Sequence, residues 1–174
     1  MRRADRGLTL IELMFVLAVI AILIALSVPS LLRSRMAANE TAGQSALKQF
    51  VTTESVWRQT DSDRNGAQDY WTQDVAGFYA YMDATGSGLH FIDVALAQAD
   101  ALGWPTYTAP PFGLPGMPSD RSGYLFTVMT MDGTGGTYQT DADGDGFSTN
   151  MAGFAFCGYP STYGRTGSRQ YIVN

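Results

Sequence analysis

Two short runs of acids have a spacing that could do chemistry, and that chemistry is cation binding. Asp141, Asp143 and Asp145 alternate along the chain, with Gly146 in sixth place. Acids at alternate positions direct several oxygens at one point, and a Gly at the sixth position permits the sharp turn of a calcium loop. Asp61, Asp63, Asn65 and Asp69 follow the same rhythm, with Gly66 sixth and Asp69 ninth. Neither run is complete. Thr72 stands where a bidentate Glu would close the loop that begins at Asp61, and Ala152 where one would close the loop that begins at Asp141; Asp74 offers a carboxylate to the Asp61 loop after a small shift in register. Calcium is therefore the expected cofactor. The plain alternative is a pair of Asp/Gly-rich surface turns, which such residues favour anyway.

Catalytic patterns are missing from the sequence. It has no GxSxG, no HExxH and no Walker loop, and the single His90 and single Cys157 have no partner at a telling spacing. The expectation is a protein that is not an enzyme. Cys157 cannot form an intrachain disulfide. It lies in the alternating run AGFAFCGY and is expected as a small buried side chain.

The formal charge of −5 hides an asymmetry. Arg2, Arg3 and Arg6 face only Asp5 in the first seven residues, and the remainder holds 8 basic and 15 acidic residues. A negative surface repels phosphates, so no nucleic acid is expected among the partners.

The elements that must position these residues begin with an apolar segment. Residues 13–32 carry no charge. A helix of that length spans about 30 Å, the hydrocarbon thickness of a bilayer. The arginines before it place the N-terminus in the cytoplasm. An ordinary signal peptide is cleaved after its apolar run at small residues, for which Ala25-Leu26-Ser27 is a weak site, and that run is usually shorter. Glu12 at the start of the run is an ionisable group at a membrane edge, which marks function by default.

The stretch Arg6-Gly7-Leu8-Thr9-Leu10-Ile11-Glu12-Leu13 resembles the cleavage and methylation signature of type IV pilins and type II secretion pseudopilins. The resemblance implies a prepilin peptidase that cuts after Gly7 and methylates Leu8 as the new first residue. The family more often has Phe or Met at the position of Leu8. Glu12 matches the acid that helps a subunit dock into the growing filament, and Pro29 matches the proline that kinks or locally melts the long helix. The implied partners are other pilin-like subunits, the peptidase and the inner-membrane assembly machinery. The implied location is the inner membrane, with the N-terminus cytoplasmic, and then a surface pilus or periplasmic pseudopilus. Many members staple the C-terminal region with a disulfide. A single Cys excludes that, and a calcium clip could replace it, as it does in some pseudopilins.

The helical pattern continues to about Gln59, with Leu47, Phe50 or Val51, Glu54 and Trp57 recurring at three to four residues. Glu40, Glu54, Arg33, Arg35, Lys48 and Arg58 are expected on the open face. Short helices are expected over residues 72–82 and 94–102, the second capped by Asp93. Residues 104–118 hold five prolines and read as an irregular surface crossing. Strands are expected over residues 123–131, 152–159 and 170–173. The fold expected is α+β. A long N-terminal helix, membrane-spanning in its first half and amphipathic in its second, packs on a small antiparallel sheet. Residues 1–7 are then a leader, 8–32 a transmembrane or filament-core helix, and 33–174 the amphipathic half plus a globular head.

The function expected is a structural subunit of a type IV pilus or related pseudopilus. The rivals are a minor pseudopilin of type II secretion and a membrane-anchored calcium-binding surface module that does not polymerise.

Overall fold

The computed structural model describes residues 9–82, 88–102, 118–141 and 146–174. The chain divides into two compact units, Met1–Arg35 and Met36–Asn174.

Helix α1 runs from Leu10 to Thr60. Its first turn is fixed by a reciprocal cap. The Thr9 hydroxyl accepts from the Glu12 N–H (3.3 Å), and Glu12 Oε2 accepts from the Thr9 N–H (2.8 Å). Two donors that a helix start leaves open are thereby satisfied. In the first unit every described side chain is exposed, including Leu10, Phe15, Ile22 and Leu26. This is the one helix among the described residues that is long and apolar enough to cross a membrane. The helix passes through Pro29 without a break. Proline removes the N–H that would bond the carbonyl one turn earlier, so it weakens the helix at that point.

In the second unit α1 is amphipathic and buries Gly43, Ala46, Leu47, Phe50, Thr53, Glu54 and Trp57. The steps of three and four residues put these on one face. Phe50 lies at the centre of the core, with ring centroids 5.4 Å from Phe126 and 5.1 Å from Phe156. The helix ends where expected, at Thr60. Asp61 then takes a left-handed φ of 46°, which turns the chain out of the helix.

A three-stranded antiparallel sheet covers that face. Its strands are β2 (Tyr124–Val128), β4 (Phe156–Pro160) and β5 (Tyr171–Val173), with β4 in the middle. Tyr124, Phe126, Val128 and Phe156 point into the core from alternate positions of their strands. Tyr124 lies flat on α1, because a Cβ at Gly43 would sit 3.0 Å from its ring. A second, two-stranded sheet pairs β1 (Tyr70–Trp71) with β3 (Thr149–Asn150). The fold is therefore α+β, a long N-terminal helix packed against small antiparallel sheets.

Several expectations are corrected. Glu54 is on the buried face, not the open one. It shares the 47–50–54–57 row, and its Oε2 accepts from the Trp71 N–H at 3.0 Å. Cys157 is half-exposed rather than buried, because β4 turns Phe156 inward and Cys157 outward. The expected helix over 72–82 shortens to α2 (Gly77–Ala80). Asp74 caps the Gly77 N–H at 2.6 Å and so fixes the late start. The helix over 94–102 shortens to α3 (Val94–Ala97), which is capped by Asp93 as expected. It stops because Asp100 turns inward to accept from the Val75 and Ala76 N–H groups at 2.7 and 2.8 Å. Almost all of the proline-rich crossing lies outside the described residues.

Candidate functional site

The processing residues Gly7 and Leu8 lie outside the described residues. The described helix starts two residues after Leu8, so Glu12 stands in its first turn. There its carboxylate also accepts from the Thr9 hydroxyl at 2.7 Å. Pro29 sits on the same helix, within the exposed apolar stretch. Glu12 and Pro29 thus belong to one continuous helical rod with no buried side chain over residues 10–35. A rod of exposed Leu, Ile, Val and Phe is stable only in lipid or against other apolar helices.

The first acidic run is compact. Asp61 Oδ2 accepts from the Gly66 N–H at 3.2 Å. The Asn65 amide nitrogen donates to both Asp63 Oδ2 (3.1 Å) and Asp69 Oδ2 (3.3 Å). One amide therefore bridges two carboxylates, and left-handed backbone at Arg64 and Gly66 folds the loop around it. Burial, and then the charges of Asp69 and Asp61, push Asp63 up to about 7. Asp61 Oδ1 is buried with no hydrogen-bond partner. Asp69 is almost fully buried and faces the same region as Glu54. Burial foremost, with the Asp69 charge behind it, drives Glu54 well above the usual carboxylate range, and its Oε1 is also unpartnered. The loop joins the side chains of Asp63, Asn65 and Asp69 by hydrogen bonds, while Asp61 turns to the Gly66 N–H. Among the described residues, no group of three or more His, Cys, Asp or Glu converges as a metal site requires.

The second run is described only at its edges. Asp143 and Asp145 lie outside the described residues, and Asp141 is exposed. Its stems are firm. The Thr149 N–H bonds the Thr140 carbonyl at 2.7 Å, and the Ser148 N–H bonds Gln73 Oε1 at 2.9 Å. Phe147 packs on Trp71 and Tyr81, with centroids 5.7 and 5.4 Å away.

Two features escaped the sequence reading. Glu40 on α1 holds the C-terminal segment through Ser168, and Asn39 donates to the Thr166 carbonyl at 2.8 Å. No local spacing signals bonds that span more than 120 residues. A cleft of about 400 Å³ is lined by Tyr70, Asp132, Tyr138, Asn150 and Phe154 among others. The polar groups of two of its residues are engaged internally. Asn150 accepts from the Ala152 and Gly153 N–H groups, and Asp132 Oδ1 accepts from those of Thr134 and Gly136. His90 stacks on Tyr79 at 4.3 Å.

A family model described as "Prokaryotic N-terminal methylation motif" matches residues 2–28, so the chain carries the type IV pilin and pseudopilin signature. A second, described as "Protein of unknown function (DUF2950)", matches residues 25–174. No curated protein and no solved structure matches the chain.

Proposed function

Because the chain belongs to the family of proteins of unknown function described as DUF2950, we propose a role from its own residues: a structural subunit of a type IV pilus or related pseudopilus. It is trimmed after Gly7 by a prepilin peptidase, methylated on Leu8, and polymerised through α1. The observation that carries this reading is the methylation motif running directly into a helix whose apolar side chains are all exposed over residues 10–32. Extraction from lipid is offset by burying that apolar surface against neighbouring helices. Before assembly the chain sits in the inner membrane with its N-terminus inside. Its partners are other pilin-like subunits, the peptidase and the assembly machinery. Intact mass of the chain extracted from membranes tests this. Loss of residues 1–7 with one added methyl is expected, whereas loss through Ser27 would leave a plain secreted protein. Sheared surface filaments containing the chain separate a pilus from a type II secretion pseudopilus.

A second reading, a calcium-binding head, is favoured by the buried, partnerless Asp61 Oδ1 beside an Asp63 pushed up to about 7. A divalent cation would relieve that crowding. Asp61, Asp63, Asn65 and Asp69 would hold it after side-chain rotation, and Asp141, Asp143 and Asp145 are the second candidate set. Calcium must then raise the melting temperature of the full chain and a chelator must lower it. Identical melting curves retire the idea.

A further inference from the structure

Arg33 and Arg35 close the apolar stretch of α1, and both are exposed. They lie two residues apart, about 200° around the helix, so their stems leave from nearly opposite sides. The helix offers neither of them a counter-ion. The positions three and four residues away are Pro29, Ser30, Met36 and Ala37 for Arg33, and Leu31, Leu32, Ala38 and Asn39 for Arg35. Between Glu12 and Glu40 there is no acid at all. A helical Arg pair without carboxylates, placed about 30 Å from the start of the uncharged run, stands at headgroup depth. Guanidinium forks bind phosphate oxygens in pairs, and long basic stems reach outward from an apolar segment.

We propose that Arg33 and Arg35 anchor the far end of α1 to the phosphates of anionic lipid headgroups, and that leader removal leaves them the only basic side chains flanking the uncharged run, opposite the single α-amino charge of Leu8. The second half rests on the trimming proposed above. After Gly7 no Lys or Arg occurs before Arg33. The untrimmed chain has basic residues at both membrane faces, Arg2, Arg3 and Arg6 on one side and Arg33 and Arg35 on the other. The trimmed chain keeps only the second set. Trimming therefore cuts the inner end from three arginines to the single α-amino charge of Leu8 while the outer end keeps both of its own, which gives departure from the bilayer a direction.

Spin-labelled phosphatidylglycerol and phosphatidylcholine report which lipid the full chain prefers in a mixed bilayer. The trimmed wild type is expected to prefer phosphatidylglycerol about fivefold, the preference expected of one Arg beside an anionic lipid. In trimmed R33Q/R35Q, which keeps only the Leu8 α-amino charge at the inner face, the preference should fall well below that of the trimmed wild type. In R33Q/R35Q left untrimmed by G7V, the leader arginines should restore it. Trimmed R33Q/R35Q with undiminished preference overturns the anchor, and so does a trimmed wild type with none. Intact mass separates the two claims: a chain that keeps residues 1–7 overturns the trimming on which the switch depends, not the anchor.

Discussion

The Glu40 carboxylate on α1 accepts from the backbone N–H of Ser168 at 3.0 Å and from its hydroxyl at 2.8 Å, 128 residues further along the chain. With Asn39 bonding Thr166, it ties the C-terminal segment to the helix in a chain that has one cysteine. The Ser168 donors hold Glu40 below the usual carboxylate range. A lowered folded pKa adds stability above the unfolded value and loses it as pH falls through the folded one. E40Q should therefore melt slightly below the wild type at pH 7, and the two curves should merge below about pH 4. Hydrogen exchange at pH 7 should be faster in E40Q at residues 166–169, with the core strands unchanged.

Asp100 is buried and accepts three backbone N–H groups, from Val75, Ala76 and Leu102. D100A leaves all three without a partner and should cost about 3 kcal/mol or more in denaturant unfolding. Burial raises the pKa of Asp100 despite those donors. A raised folded pKa means stability fully present below the unfolded value and declining as pH rises toward the folded one. D100N cannot titrate. The stability gap between wild type and D100N should narrow as pH rises above about 4.

Gly77 opens α2 against the Trp71 ring. A Cβ there would lie 2.3 Å from Trp71 Cζ2 and 2.7 Å from Asp74 Oδ1. Gly→Ala in a helix normally stabilises by up to about 1 kcal/mol. Here the overpacking should win, and G77A should destabilise by about 1–3 kcal/mol. A rise in melting temperature would show that Trp71 can move aside freely.

Phe50 joins α1 to both long strands through Phe126 and Phe156 and to α2 through Phe78. F50A should cost about 3–5 kcal/mol in denaturant unfolding. V56A, on the exposed face of the same helix, should stay within about 0.5 kcal/mol.

Much of this was legible where a pattern repeats. The burial row of α1 follows from its period, its end at Thr60 from the Asp/Gly-rich run that begins at Asp61, and the alternate burial of Tyr124, Phe126 and Val128 from a strand whose inward side only the packing decides. Glu54 obeyed the period but was assigned by its charge to the open face. Its place in the core depends on one tertiary bond, to the Trp71 N–H, which no local pattern encodes. β1 and β3 are two residues each, too short to carry an alternation. α2 and α3 are single turns fixed by Asp74 and Asp93 rather than by an apolar period. In the acidic run, composition announced the grouping of Asp61, Asp63 and Asp69. The bridging role of the Asn65 amide did not follow from composition, because it depends on left-handed backbone at Asp61, Arg64 and Gly66.

The outward turn of Cys157 makes the head a one-handle molecule. A maleimide dye can attach at only one place per subunit, on the middle strand of the sheet and beside Ile172. Partial burial raises its thiol pKa, so the coupling is slow at neutral pH and quickens as the buffer becomes alkaline. Counting photobleaching steps on such a labelled chain would give the number of copies in an assembly without any engineered residue.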